Sequence, residues 1–227
     1  MSHGAFEIAG TRVEPGTRAY ISLPVTRTLW GDLSLPLHVV QGAEPGPVLT
    51  LLAGVHGDEI MPIHGLREFL PGLSPSDLKG TVLAIPVANP PALATFRRET
   101  PEQREDTDLH RAFPGNPRGS LTQRIAWTLA EQVLARTTHL MDFHSGGSMG
   151  RTQRRADLNQ DAAGAVREES LRLCCAFGCG LVHENLLPPG LAPVVPDGGA
   201  PDSALGRAFD QLERTWDHWC HQPKLAA

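Results

Sequence analysis

The run "PVLTLLAGVHGDE", residues 47–59, constrains this chain more than any other feature. Its apolar part is too continuous for a strand wetted on one face, so it reads as a strand buried on both faces of a sheet. It then stops abruptly at an imidazole and two carboxylates, His56, Asp58 and Glu59. Either these residues cap a strand-to-helix turn, or they face something that binds them. The following "IMPIHGLREFL" spaces Ile63, Leu66 and Leu70 along one helical face and tolerates Pro62 in its first turn.

The same alternation recurs along the chain. "LSLPLHVVQG" (33–42) and "TVLAIPVANP" (81–90) read as strands, the second stopping at Asn-Pro. "SLTQRIAWTLAEQVLARTT" sets Leu121, Ile125, Leu129 and Val133 at intervals of four, an amphipathic helix with Ser120 as N-cap. "HLMDFHSGG" (139–147) returns to strand, and a helix near 161–177 and a short strand "GLVHE" follow. Strands alternating with helices predict an α/β fold with a mostly parallel mixed sheet and helices on both faces. In such sheets ligands sit at the carboxyl ends of strands. The polar groups at 56–59, after 89 and at 142–145 all fall there. Residues 97–119 form a polar loop long enough to suggest function.

At 227 residues the chain holds one substantial domain. A net charge of −5, 5% aromatics and no Lys/Arg-rich run argue against a nucleic-acid surface. No segment approaches the roughly 18 apolar residues of a membrane span, and "MSHGAFEIAG" lacks a secretion-signal pattern, so the protein reads as cytoplasmic. Cys174, Cys175 and Cys179 cluster in one segment and Cys220 stands apart. No zinc-finger spacing accompanies them, and buried structural thiols are the preferred reading.

His56 and Glu59, three apart, share one side of a helical turn and can hold one ion. His144 ends another strand, and period-2 geometry puts Asp142 on its face. Two histidines and a carboxylate form a common catalytic-zinc set with a fourth position open, and Asp142 could hold an imidazole N–H. Spacing alone leaves capping or surface decoration equally open.

"GVHGDE", "IPVANPPA", "RRETP…DTDLHRAFPG" and "MDFHSGG", in that order, resemble the succinylglutamate desuccinylase/aspartoacylase family, a branch of the zinc carboxypeptidase-like hydrolases. The resemblance runs from about residue 33 to about 183. It implies that His56, Glu59 and His144 bind one Zn2+ per chain, and that the long loop binds substrate. Arg98 fits the arginine of the R-x-T-P segment and Arg111 that of D-L-N-R-x-F-P-G. Guanidinium forks suit a substrate carboxylate. His110 stands where the family most often has Asn, making it the place for substrate choice to differ. The expected activity is hydrolysis of the amide bond of a small N-acyl amino acid or related amide, a small-molecule substrate carrying a carboxylate. Homo-oligomerisation is left open.

The family's general base is a glutamate in an "E-x-G-G" strand, followed by a small β-rich domain. No such motif follows residue 185. Asp197 in "VVPDGG" and Glu184 in "GLVHEN" are the candidate replacements, Asp197 being one methylene shorter than Glu. The chain accordingly divides into a hydrolase-like domain over 1–185 and a divergent or truncated tail over 186–227, with the C-terminal β domain missing. The rival reading is a non-catalytic zinc- or ligand-binding remnant that has lost the proton shuttle. Arg151, Arg154 and Arg155 read as solvated loop charges. Ser145 lacks the G-x-S-x-G context of a serine nucleophile.

Overall fold

The computed structural model describes residues 4–29, 31–103, 107–148, 150, 155–159, 164–178 and 181–185, without the side chains of 159 and 183–185. A small antiparallel hairpin, β1 (Phe6–Ile8) and β2 (Thr11–Val13), leads into a long one, β3 (Arg18–Thr28) and β4 (Gly31–Gln41). Then come β5 (Glu44–Ala53), α1 (Ile60–Phe69), β6 (Lys79–Ile85), α2 (Pro90–Ala94), α3 (Leu121–Thr128) and β7 (His139–Phe143). β8 (Ala156–Asn159), α4 (Gly164–Phe177) and β9 (Val182–Asn185) complete the chain as described.

The main sheet has five strands in the order β3-β4-β6-β5-β7. β5 pairs in parallel with β6 on one side and β7 on the other, whereas β4 pairs antiparallel with β3 and β6. The sheet is mixed, as expected, with its parallel half confined to β6, β5 and β7. The antiparallel half is larger than the alternation implies, because β3 joins β4 through a hairpin. Strands β8 and β9 form a separate parallel pair.

Alternation along β5 and β6 decides the two faces. Leu49, Leu51 and Ala53 with Val82 and Ala84 pack against Leu66 and Phe69 of α1. Leu52, Leu83 and Ile85 point the other way, onto Ile125 of α3 and onto Leu129 and Val133 beyond it. Helices therefore cover both faces. Ser120 caps α3 in a reciprocal capping box with Gln123. Residues spaced by four drift roughly 40° per step around a 3.6-residue helix. The chain leaves the α-helix for a π turn at Leu129–Val133, whose i→i+5 bonds absorb that drift and keep Val133 facing the core with Ile125.

Cys174 is buried and Cys175 exposed on α4; Cys179, Cys220 and the proposed tail, 186–227, lie outside the described residues. Among the described residues no helix is long and apolar enough to cross a membrane.

Candidate metal centre

The centre forms where β5 and β7 end side by side. After β5 the chain turns through 54–59 into α1, with Gly57 packed under α2. A Cβ there would stand 2.0 Å from the backbone carbonyl carbon of Ala92, so only glycine fits. Asn89 ties this turn to the long loop: its amide donates to the Val55 carbonyl and to Thr100 Oγ1, and its oxygen caps α2 by accepting from Ala92 N.

Glu59 sits at the N-cap of α1, yet its carboxylate does not cap the helix. Oε1 lies 2.7 Å from His56 Nδ1, and Oε2 lies 3.0 Å from His144 Nδ1 while accepting from Ser145 N at 2.9 Å. The two Nδ1 atoms are 3.2 Å apart. The ligand atoms of these three residues all fall within 4.8 Å of one another. Ligands of a tetrahedral zinc with bonds of about 2.0–2.1 Å stand roughly 3.3 Å apart. A pair of imidazole nitrogens and a carboxylate held this close fit that ion, in both donor type and spacing.

The outer face of each ring also meets a carboxylate. His144 Nε2 lies 3.0 Å from Asp142 Oδ2, the pairing the strand period anticipates. His56 Nε2 lies 3.2 Å from Asp108 Oδ1. Asp108 was not among the expected site residues. It is nonetheless the hub of the loop: it accepts from the His110 backbone N at 3.0 Å, and its Oδ2 stands 3.4 Å from an Arg98 nitrogen and 3.9 Å from Arg111 Nε. The signal that reveals it is chemical. A ligating histidine needs a partner for its second nitrogen, and "DTDLHR" offers Asp108 beside His110.

Neighbouring groups shift the titration of several residues of the centre. Burial opposes charging His144, but the hydrogen bonds to Asp142 and Glu59, and their charge, outweigh it and raise its pKa to about 10. Burial likewise opposes ionising Glu59, while hydrogen bonds from His144, His56 and Ser145 N hold it at about 2. Asp108, although buried, is lowered by His56 and Arg98. His110, although exposed to solvent, is lowered, chiefly by desolvation from the protein around its ring.

Arg98, His110 and Arg111 gather at the mouth. Arg98 bridges Glu59 Oε1 and Asp108 Oδ2 at 3.4 Å each. The His110 ring centroid is 5.5 Å from that of His144 and 6.1 Å from that of His56. Arg111 is 83% exposed and touches Asp108 through its Nε, at 3.9 Å. Of the proposed bases, Asp197 lies outside the described residues, and Glu184 lies in β9, its backbone paired with that of Leu158 in β8. Arg151 and Arg154 also lie outside them, and Arg155 pairs with Asp157 at 3.0 Å. Ser145 serves through its backbone N–H on Glu59.

The fold is that of metallo-carboxypeptidases: a structure of such an enzyme from Burkholderia cenocepacia superposes with a TM-score of 0.60 at 13% identity, over 89% of this chain and 64% of that one. The chain belongs to the succinylglutamate desuccinylase/aspartoacylase family, whose catalytic-domain model matches residues 45–187. A succinylglutamate desuccinylase/aspartoacylase structure from Rhodobacter sphaeroides is 29% identical with a TM-score of 0.65, covering 73% of this chain and 51% of that one. The N-alpha-acetyl-L-2,4-diaminobutyric acid deacetylase of Halomonas elongata is 35% identical over 130 residues, 56% of this chain. The chain spans only 37% of that relative's length.

Proposed function

We propose that this chain is a zinc-dependent amide hydrolase that removes the acyl group from a small N-acyl amino acid or related amide. The observation that carries the reading is the meeting of His56 Nδ1, His144 Nδ1 and the Glu59 carboxylate, with each ring's Nε2 on its own aspartate. His56, Glu59 and His144 would hold the zinc ion, which when bound would supply Lewis acidity and acidify water.

The chain's own groups do the rest. Asp108 and Asp142 hold the Nε2 protons of His56 and His144, which keeps the Nδ1 lone pairs aimed inward. Arg98 and Arg111 grip the substrate carboxylate from the rim, and His110 orients the acyl-amide unit with a ring N–H. A carboxylate base takes the proton from water and delivers it to the leaving amine; Glu184 and Asp197 are the residues proposed for that role. A cytoplasmic setting suits the exposed thiol of Cys175.

The test is amine release from a panel of N-acetyl and N-succinyl amino acids by the zinc-loaded chain, with a chelator-treated control. Zinc-dependent turnover is expected. A folded, zinc-bearing chain without turnover on the panel would favour the binding remnant instead.

A further inference from the structure

His144 is the one imidazole of the centre that meets a carboxylate on each nitrogen and also faces the mouth. Its Nδ1 points at Glu59 and His56, and its Nε2 at Asp142, 3.0 Å away. On that outer side a third donor stands close. The ligand atoms of His110, Asp142 and His144 all lie within 4.8 Å of one another, and the His110 and His144 rings meet edge to face at 78°. Asp142 and His110 are both exposed, so neither needs to open the core to reach an ion. The His110 backbone is meanwhile fixed by its N–H on Asp108.

The geometry points to a second, outer divalent-metal site made by His110, Asp142 and His144, at the Nε2 edge of the His144 imidazole, away from the Nδ1 that faces the inner centre. It shares only His144 with that centre. Two imidazole nitrogens and one carboxylate are donors for a borderline ion such as zinc, cobalt or nickel, not for calcium or magnesium. The 3.0 Å Nε2–Oδ2 separation is already close to the spacing of adjacent ligands on tetrahedral zinc, roughly 3.3 Å. A rotation of the exposed His110 ring closes the third corner and leaves the fourth to solvent. The incoming ion replaces the proton on His144 Nε2, which leaves to solvent. Two ions then share one imidazolate, with Asp142 turning from hydrogen-bond acceptor to ligand. That exchange, and the charge of the inner ion on the same ring, make the outer site the weaker of the two. It sits between His110 and Asp142 at the rim where substrate is proposed to enter, so its ion competes with substrate for the mouth.

The experiment is a zinc titration of the metal-stripped chain against a competing chromophoric chelator, run on the wild type, H110N, H110Q and H56A, each checked for folding by its thermal transition. The wild type is expected to take up two zinc ions in separate steps. H110N and H110Q keep the first step and weaken the second at least about 10-fold, since losing a ligand costs no less than losing a partner of a ligand, about 10- to 100-fold. One ion in the wild type, lost in H56A and kept in H110N, overturns the outer site and leaves the inner one standing. A second ion that persists in both His110 variants also overturns it. A single ion lost in H110N but kept in H56A supports the outer site and contradicts the inner one.

Discussion

The floor of the centre and its rim are built differently. At the floor His56 is 2% exposed, and Glu59 and Asp108 are buried with it. Every proposed ligand atom there has at least two neighbours, through Ser145 N, Arg98 and the facing ring. At the rim the side chain of His144 is 30% exposed, Asp142 and His110 are open, and Arg111 extends into solvent. The lesson is a division of labour. Groups that must not move are over-determined by burial and hydrogen bonds, and groups that choose a partner keep their rotamer freedom until one arrives.

The largest expected effect is at the floor. His56→Ala removes a proposed ligand and should lower zinc affinity by more than about 100-fold, the upper end for losing a ligand's hydrogen-bond partner. Chelator-competition measurements check it, and unchanged zinc stoichiometry would break the assignment. Next comes a matched pair, Asp108→Asn and Asp142→Asn. Both keep shape and lose charge, but Asp108 is buried among arginines and Asp142 is wetted. Asp108→Asn is expected to cost about 100-fold in zinc affinity and Asp142→Asn about tenfold or less. Equal losses would erase the distinction between floor and rim.

The arginines sharpen it further. A hydrogen bond to a charged group is worth about 1.5–3 kcal/mol. Arg111→Ala should therefore raise KM for a carboxylate-bearing substrate roughly 10- to 100-fold and leave zinc affinity unchanged. Arg98→Ala should change both, because Arg98 touches Glu59 as well as Asp108. A KM unaffected by Arg111→Ala would remove it from substrate binding.

The legible parts of the molecule are those where one physical demand dominates. Burial on both faces marks β5 and β6 as apolar runs, and the polar break after β5 marks the floor. Strand β3 gives no such signal: "RAYISLPVTRT" is an edge strand with Pro24 at its bulge, and only Ile21 and Leu23 are fully buried. Intervals of four identify the helix at 121 but hide the π turn that makes them workable. Glu59 is open to a capping reading until the structure places its carboxylate on two histidines and Ser145 N. Asp108 escapes notice because it acts through others: it orients His56, seats His110 and holds two arginines, a role that exists only once residues 52 apart meet. Asp142, two residues from its histidine, is readable from strand period alone.

The most direct test is a crystal of the chain loaded with one equivalent of zinc, with anomalous scattering recorded on both sides of the zinc edge. A single peak is predicted, bonded to His56 Nδ1, His144 Nδ1 and the Glu59 carboxylate at about 2.0–2.2 Å, with Asp108 and Asp142 still on the two Nε2 atoms. A dominant peak away from these three residues, or zinc bound by His144 through Nε2 alone, would contradict the account at its centre.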